Sequence, residues 1–368
     1  MYKYIPLLQS RQLVKQVISS TGLNQQIIDH VEPYLEVGHT DTESDKKAID
    51  LIRESKFTSF FLDYPYFRQE PIDKEDSTWN IQPESNIFDF ISVNLKPSEM
   101  EKKTHTGVFQ TITPVISRLK NHGSLKKVGA FYKNLYEYGK REGYLRIGIR
   151  FPYTRKTALK NTDIWDVIKI MNKNDFVFLD CRSDVPNEDI ATYIEEISSS
   201  IEEIRNANPL VKIVVLNPHV SLATDGGTYI KRSIGHNISE KTAIFGYGDY
   251  MSEPERPSFS HNKKGFTIYY YDYREDYDLR FFDVNSYRGA LEKMRNDPYL
   301  TELLEYHMDY CNFCLELNRI LTELPNGDGD FNIRRSAIRR GHYFISAYLN
   351  AAGLRDKVGK GHGIGETK

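Results

Sequence analysis

The chain has 368 residues, 39% hydrophobic and 27% charged, which allows one large domain with an appendage or two ordinary ones. Its formal charge of −2 provides no global field for nucleic acid or an anionic membrane, and its 3 cysteines form no even disulfide framework. The start, Met1-Tyr-Lys-Tyr-Ile-Pro6, lacks an apolar signal core, and no apolar run approaches the roughly 20 residues of a membrane helix, so a cytoplasmic protein with no membrane partner is expected.

Short apolar runs alternate with amphipathic stretches from the first residues onward. Candidate strands fall at Tyr4–Leu8, His30–Val37, Ser59–Asp63, Phe109–Ile116, Leu145–Phe151, Asp175–Asp180, Lys212–Asn217 and Ala243–Tyr247. Most are nearly continuous in apolar character, as parallel strands covered on both faces should be. Candidate helices lie between them at Ser10–Ser20, Ser44–Ser55, Leu125–Glu142, Asp163–Asn172 and Asn187–Asn206. In the last of these, Ile190, Tyr193, Ile194, Ile197, Ile201 and Ile204 recur at helical spacing. Repeated strand and helix over this length predict a (β/α)8 barrel. The alternative, a doubly wound open sheet, usually shows a Gly-rich first turn, whereas Gln9-Ser10-Arg11 follows the first strand. Prolines at positions 6, 33, 114, 152 and 218 fall in or just past strands and are expected at strand ends or bulges.

Two connections interrupt the rhythm. The segment Tyr64–Thr106 is much longer than an ordinary loop and carries Tyr64, Tyr66, Phe67, Trp79 and Phe88, with a short helix expected near Ser85–Val93. The barrel is expected to span residues 1–255 and to be irregular at its last unit. There Glu253-Pro-Glu-Arg-Pro257 reads as a linker into a C-terminal extension over 256–368. Within that extension, Phe266–Tyr273 and Tyr277–Val284 predict a hairpin. Its tyrosines suit either closure over the barrel or an interface with another chain. Helices are expected at Ser286–Arg295, Tyr299–Leu324 and Phe331–Ala352, with a disordered tail from Lys357.

Barrel sites are built at the C-terminal ends of strands. The polar residues there are Glu36, His39, Asp63, Arg150, Asp180, Arg182, Asn217, His219, Asp249 and Glu253. Carboxylates, imidazoles and guanidinia at one rim could hold a divalent cation and a phosphoryl group and activate water. They could equally pair with one another as any wet rim requires. No linear metal, nucleophile-elbow or P-loop signature is present, so a divalent cation is implied only if the rim is hydrolytic.

Further along, Gly226, Gly227, Thr228 and Lys231 follow the seventh strand, where barrels often bind phosphate at a short helix start; a plain turn explains the same glycines. Cys311-Asn-Phe-Cys314 shares a predicted helical face with His307, and His342 is the nearest candidate for a fourth zinc ligand, although buried thiols in a helix interface account for the pair more simply. Arg334, Arg335, Arg339, Arg340 and His342 form the densest basic cluster, which could meet nucleic-acid phosphates or pair with Asp328–Asp330 and Glu275–Asp278. Nucleic acid is not otherwise indicated.

Tyr4-Ile-Pro-Leu-Leu8, followed by a helix and then Val31-Glu-Pro-Tyr-Leu-Glu36, resembles the opening of the phage "beta protein" family, and Thr113-Pro-Val-Ile116 is a weaker echo. The resemblance implies a prophage or mobile-element setting, with some similar proteins in defence or toxin–antitoxin-like modules beside a toxic partner and a small DNA-binding regulator. It carries over no catalytic residues. Two functions follow as expectations: a component that binds a co-encoded protein, or a metal-assisted phosphodiester or nucleotide hydrolase at the barrel rim.

Overall fold

In the computed structural model, residues 2–8, 14–15, 25–38, 42–55, 57–64, 87–95, 111–117, 128–153, 164–181, 190–217, 220–224, 227–231, 234–249, 266–272, 277–308 and 311–323 are described. The strands are β1 (Lys3–Leu8), β2 (Tyr34–Glu36), β3 (Ser59–Asp63), β4 (Thr111–Ser117), β5 (Gly148–Tyr153), β6 (Phe176–Cys181), β7 (Lys212–Leu216), β8 (Val220–Thr224), β9 (Gly227–Lys231), β10 (Gly246–Asp249), β11 (Phe266–Asp272) and β12 (Tyr277–Asp283). Eight of them close a barrel in the order β1-β10-β7-β6-β5-β4-β3-β2, every pair parallel. All eight coincide with or overlap the strands expected from the sequence.

The intervening helices are α1 (Gln25–His30), α2 (Thr42–Glu54), α3 (Ile87–Asn94), α4 (Val128–Arg141), α5 (Trp165–Ile168), α6 (Ile190–Ala207) and α7 (Ile234–Lys241). Period-two alternation divides each strand between two cores. Ile5, Leu7, Tyr34, Phe61, Phe178 and Val214 face the interior, while Tyr4, Leu8, Leu35, Leu62 and Leu179 join the layer under the helices. On α6, Tyr193, Ile194, Ile197, Ile201 and Ile204 are buried, the face expected from their spacing. The interior is largely aromatic: the Phe61 ring meets Phe176 and Phe178 edge-on, with centroids 4.9 and 5.0 Å away.

The strand prolines correct one expectation. Pro6, Pro114 and Pro152 lie within strands, Pro6 at a gap in its pairing and Pro114 and Pro152 where their strands have a partner on one side only. Pro6 is in register with Asp249 on one side, and on the other it falls in the gap between the Tyr4↔Val31 bridge and the β1–β2 pairing that resumes at Leu7. Pro114 faces Leu62, and pairing with β5 begins at Val115. Pro152 faces Asp180, beyond the last pair between β4 and β5 at Arg150. The stagger that closes a barrel leaves such one-sided positions, where a missing N–H is least costly. Pro218 lies outside the described residues.

Glycines let the barrel close at β10. A β-carbon on Gly248 would overlap the Ile5 carbonyl oxygen of β1. Because the obstacle is backbone, Gly248→Ala should destabilise the protein by about 2–3 kcal/mol. Chemical denaturation checks this; a change below about 0.5 kcal/mol, the scatter of neutral substitutions, would show that the strands separate freely.

The expected hairpin is present as β11–β12 and belongs to a second sheet of order β11-β12-β9-β8, whose β8 and β9 were not anticipated. Strands β8 and β9 form a hairpin within the β7–β10 connection, and Tyr277 of β12 pairs with Lys231 of β9. Strand pairing thus joins the extension to a loop of the barrel. The β11–β12 hairpin is itself an inner layer, with Ile268, Tyr270 and Phe281 in the core formed with the C-terminal helices and Tyr271 in the barrel's outer core. Tyr270 and Tyr271 are thus buried within this chain. The helices are α8 (Tyr287–Arg295), α9 (Pro298–Met308) and α10 (Asn312–Glu323), so the single helix expected over Tyr299–Leu324 is two. The Cys311 N–H still reaches the His307 carbonyl at 3.0 Å, while the Cys311 carbonyl opens the next turn by accepting from Cys314.

The expected α3 is present, and its Phe88 ring packs against Tyr138 and Tyr144 with centroids 5.7 and 5.1 Å away. The rest of the Tyr64–Thr106 segment beyond Tyr64 and residues 87–95, most of the Ser10–Ser20 stretch, the arginine cluster with His342 and the tail lie outside the described residues. Among the described residues, no helix is long and apolar enough to cross a membrane.

Candidate functional site

One step along the strands from the aromatic interior, the inward row turns polar. Tyr34 leads to Glu36, Phe61 to Asp63, Val115 to Ser117, Gly148 to Arg150 and Phe178 to Asp180, each two residues on and hence on the same face. These are the C-terminal ends of the strands, where a (β/α)8 barrel places its sites. Gly148 makes room beneath Arg150, since a β-carbon there would stand 2.6 Å from the Phe178 ring.

Arg150 is the centre of the cluster and is wholly buried. Its Nη1 donates to Glu36 Oε1 at 2.5 Å and to Asp63 Oδ2 at 3.1 Å. Its Nε and Nη2 donate to Asp180 Oδ2 at 3.0 and 2.8 Å. The guanidinium also lies over the Tyr34 ring, 5.4 Å from its centroid. Asp63 accepts from the Tyr34 hydroxyl at 2.7 Å and from Ser117 Oγ at 2.5 Å. Asn217 Nδ2 donates to Asp180 Oδ1 at 2.8 Å. The backbone of Asn217 is left-handed, with φ 50°, a conformation asparagine tolerates better than most residues, and its N–H donates to the Gly248 carbonyl at 2.8 Å.

Burial dominates the electrostatics. Desolvation pushes the Asp63 carboxyl up to about 6, against the opposing pull of Arg150 and with a further push from Glu36. Desolvation and the neighbouring Asp63 charge also hold the Tyr34 hydroxyl well above its ordinary range, so it remains a donor.

Of the residues expected at the rim, Glu36, Asp63, Arg150, Asp180 and Asn217 meet. Asp249 does not join them. Its carboxylate accepts from Tyr4 at 3.1 Å and Tyr247 at 2.8 Å, two hydroxyls of the outer core. The inward positions of β10 are Gly246 and Gly248, so Asp249 belongs to the opposite face. His39, Arg182, His219 and Glu253 lie outside the described residues. Tyr34 and Ser117 were missed. Alternation from Glu36 would have found Tyr34, and Ser117 stands one residue past the expected end of its strand.

The glycine-rich segment is also corrected. Gly227, Thr228 and Lys231 belong to β9, paired antiparallel with β8 from Thr224↔Gly227 to Val220↔Lys231. They therefore sit in a strand of a hairpin rather than at a helix start. Gly226 itself lies outside the described residues.

The thiol pair is buried in the second core. Tyr270 Oη stands 2.7 Å from His307 Nδ1 and 3.2 Å from Cys314 Sγ, between the groups that a metal would have to bridge. Burial pushes the Cys314 thiol well up, away from the thiolate form that metals bind. The described residues contain no cluster of three or more His, Cys, Asp or Glu side chains placed to hold a metal ion. At the rim the reason is visible: Arg150 occupies the centre toward which Glu36, Asp63 and Asp180 point, so the carboxylates present do not fit a divalent cation.

No protein-family model matches this sequence, and no curated protein does either. Among solved structures, the chain is similar to the N-acetylneuraminate lyase of Fusobacterium nucleatum, at 10% identity and a TM-score of 0.36, over 97% of this chain and 98% of that one.

Proposed function

We propose that this barrel is a recognition component of a phage-defence or toxin-neutralising module and acts by binding a co-encoded protein. The observation that carries this is the engagement of the rim groups with one another. Glu36, Asp63 and Asp180 are all buried and all bonded to Arg150, an arrangement that rigidifies a scaffold. The resemblance to the phage "beta protein" family supplies the setting. The test is co-expression with the product of the neighbouring gene. A complex stable through size-exclusion chromatography is expected, and recovery of this chain alone in the presence of that product would refute the proposal. Asp180→Asn and Asp63→Asn should leave both complex and biological protection intact.

One observation favours the second possibility, a phosphodiester or nucleotide hydrolase at the same mouth. Asp63, pushed up to about 6, titrates near neutrality beside Glu36 and Arg150, a range suited to proton transfer. That function would be lost in Asp63→Asn and Asp180→Asn while the fold persisted, the opposite of the outcome expected above.

A further inference from the structure

The opposite mouth of the barrel carries the reverse charge. Continuing the inward rows toward the strand N-termini places Lys3 on β1, Glu32 before β2, Ser59 on β3, Arg146 before β5 and Lys212 on β7 at one level. Three of these are cations and one is an anion. Glu32 is almost fully buried and takes Arg146 Nη2 at 2.9 Å, Ser59 Oγ at 2.8 Å and, more loosely, Lys3 Nζ at 3.6 Å. Lys212 has no carboxylate at ion-pair distance among the described residues. It is held over two phenyl rings instead, 5.1 Å from the Phe176 centroid and 5.3 Å from that of Phe245. Arg146 lies 5.0 Å from the Phe176 centroid and Lys3 5.9 Å from that of Phe245. Three cationic heads therefore gather around two adjoining rings, themselves edge-on at 5.0 Å.

This grouping is not balanced from within. Arg146 Nε is buried and has no acceptor among the described residues. The next carboxylate at this end, Asp175, is engaged elsewhere, accepting from Lys140 at 2.8 Å, Tyr136 at 2.7 Å and two backbone N–H groups. Desolvation, reinforced by Arg146 and Lys3 and only partly opposed by Glu32, lowers the affinity of Lys212 for its proton, as expected of cations that outnumber the carboxylate beside them. Access is open, because the Lys3 and Arg146 side chains retain 34% and 20% of their exposure. Guanidinium and ammonium groups converging on a shared point are the donor set that binds a phosphate-class oxyanion.

The geometry points to an oxyanion site at the N-terminal mouth of the barrel, in which Lys212, Arg146 and Lys3 hold a phosphate-class anion against the Phe176 and Phe245 rings. This site is separate from the Arg150 cluster at the other end and does not depend on how that cluster functions.

Inorganic phosphate is the probe, and the full chain is the sample. Thermal unfolding in phosphate, against chloride at matched ionic strength, should show a saturable rise of roughly 2–4 °C in the midpoint. Lys212→Met strands no carboxylate and keeps its contact with the rings; at phosphate near the wild-type Kd, a roughly tenfold weaker site is mostly empty, so the variant should lose at least about three-quarters of that rise while remaining folded. Glu32→Gln removes the one competing carboxylate among the described members of this group and should tighten phosphate binding by roughly 5–10-fold in calorimetric titration, the scale of one charge-assisted contact. A wild-type midpoint indifferent to phosphate overturns the assignment. So does a rise that Lys212→Met retains in full, or a Glu32→Gln protein that binds no more tightly than wild type.

Discussion

Arg150→Met should be among the most damaging single substitutions available in this chain, costing about 3–5 kcal/mol at neutral pH. The guanidinium is the only cation among the described members of a buried cluster that contains Glu36, Asp63 and Asp180. Methionine would fill much of its volume and lie over Tyr34 as the arginine does, so the loss would report charge rather than a cavity. What remains would be carboxylates facing one another out of water, which must either repel or take up protons. The deficit should therefore shrink below roughly pH 5, where carboxylates with raised proton affinity become neutral. It should also be reduced at neutral pH when Asp63→Asn or Asp180→Asn is added. Urea denaturation at several pH values measures this, and a neutral-pH loss below about 1 kcal/mol would show that the cluster is solvated and not held by Arg150.

Asp63→Asn tests the same cluster from the proton side. Asp63 binds its proton more tightly in the folded state, at about 6, than in the unfolded chain, near the ordinary 3.8. Its favourable contribution is complete below the unfolded value and is lost as pH rises through the folded one. Between about pH 4 and pH 7 this one residue should remove roughly 3 kcal/mol of stability. Asparagine can accept from Arg150 and Tyr34 through its oxygen and donate to Ser117 Oγ, so the packing persists without the titration. The variant should gain on wild type by that amount across this interval. Parallel stability–pH profiles for the two proteins would refute the assignment of the titration to Asp63.

The site was half legible before any coordinates. Glu36, Asp63, Arg150, Asp180 and Asn217 each close or approach the end of an apolar run, and a parallel barrel brings such ends to one mouth. Asp249 satisfies the same description and yet belongs elsewhere, because a shift of one residue along a strand reverses the face. Its strand was expected to end at Tyr247 and instead runs over Gly246–Asp249. The phosphate turn departs from expectation for a related reason, whereas the thiol pair is buried in the helical core as the simpler reading expected. Local pattern suggests a helix start at that turn, whereas pairing with β8 makes Gly227–Lys231 a strand; His307 and Cys314 lie on helices as expected, but on two of them.

The barrel follows from local information, because a buried parallel strand must be apolar on both faces and a covering helix on one. These requirements recur with a fixed period and leave their mark on any short window of sequence. Which rim groups meet, and with what charge, depends on register and stagger between strands up to more than a hundred residues apart. Glu36 lies 114 positions from the arginine that holds it. No local pattern encodes that distance, so the acidic cluster around Arg150, the basic ring around Phe176 and Phe245 and the pairing of the expected hairpin with β9 were decided only when the barrel closed.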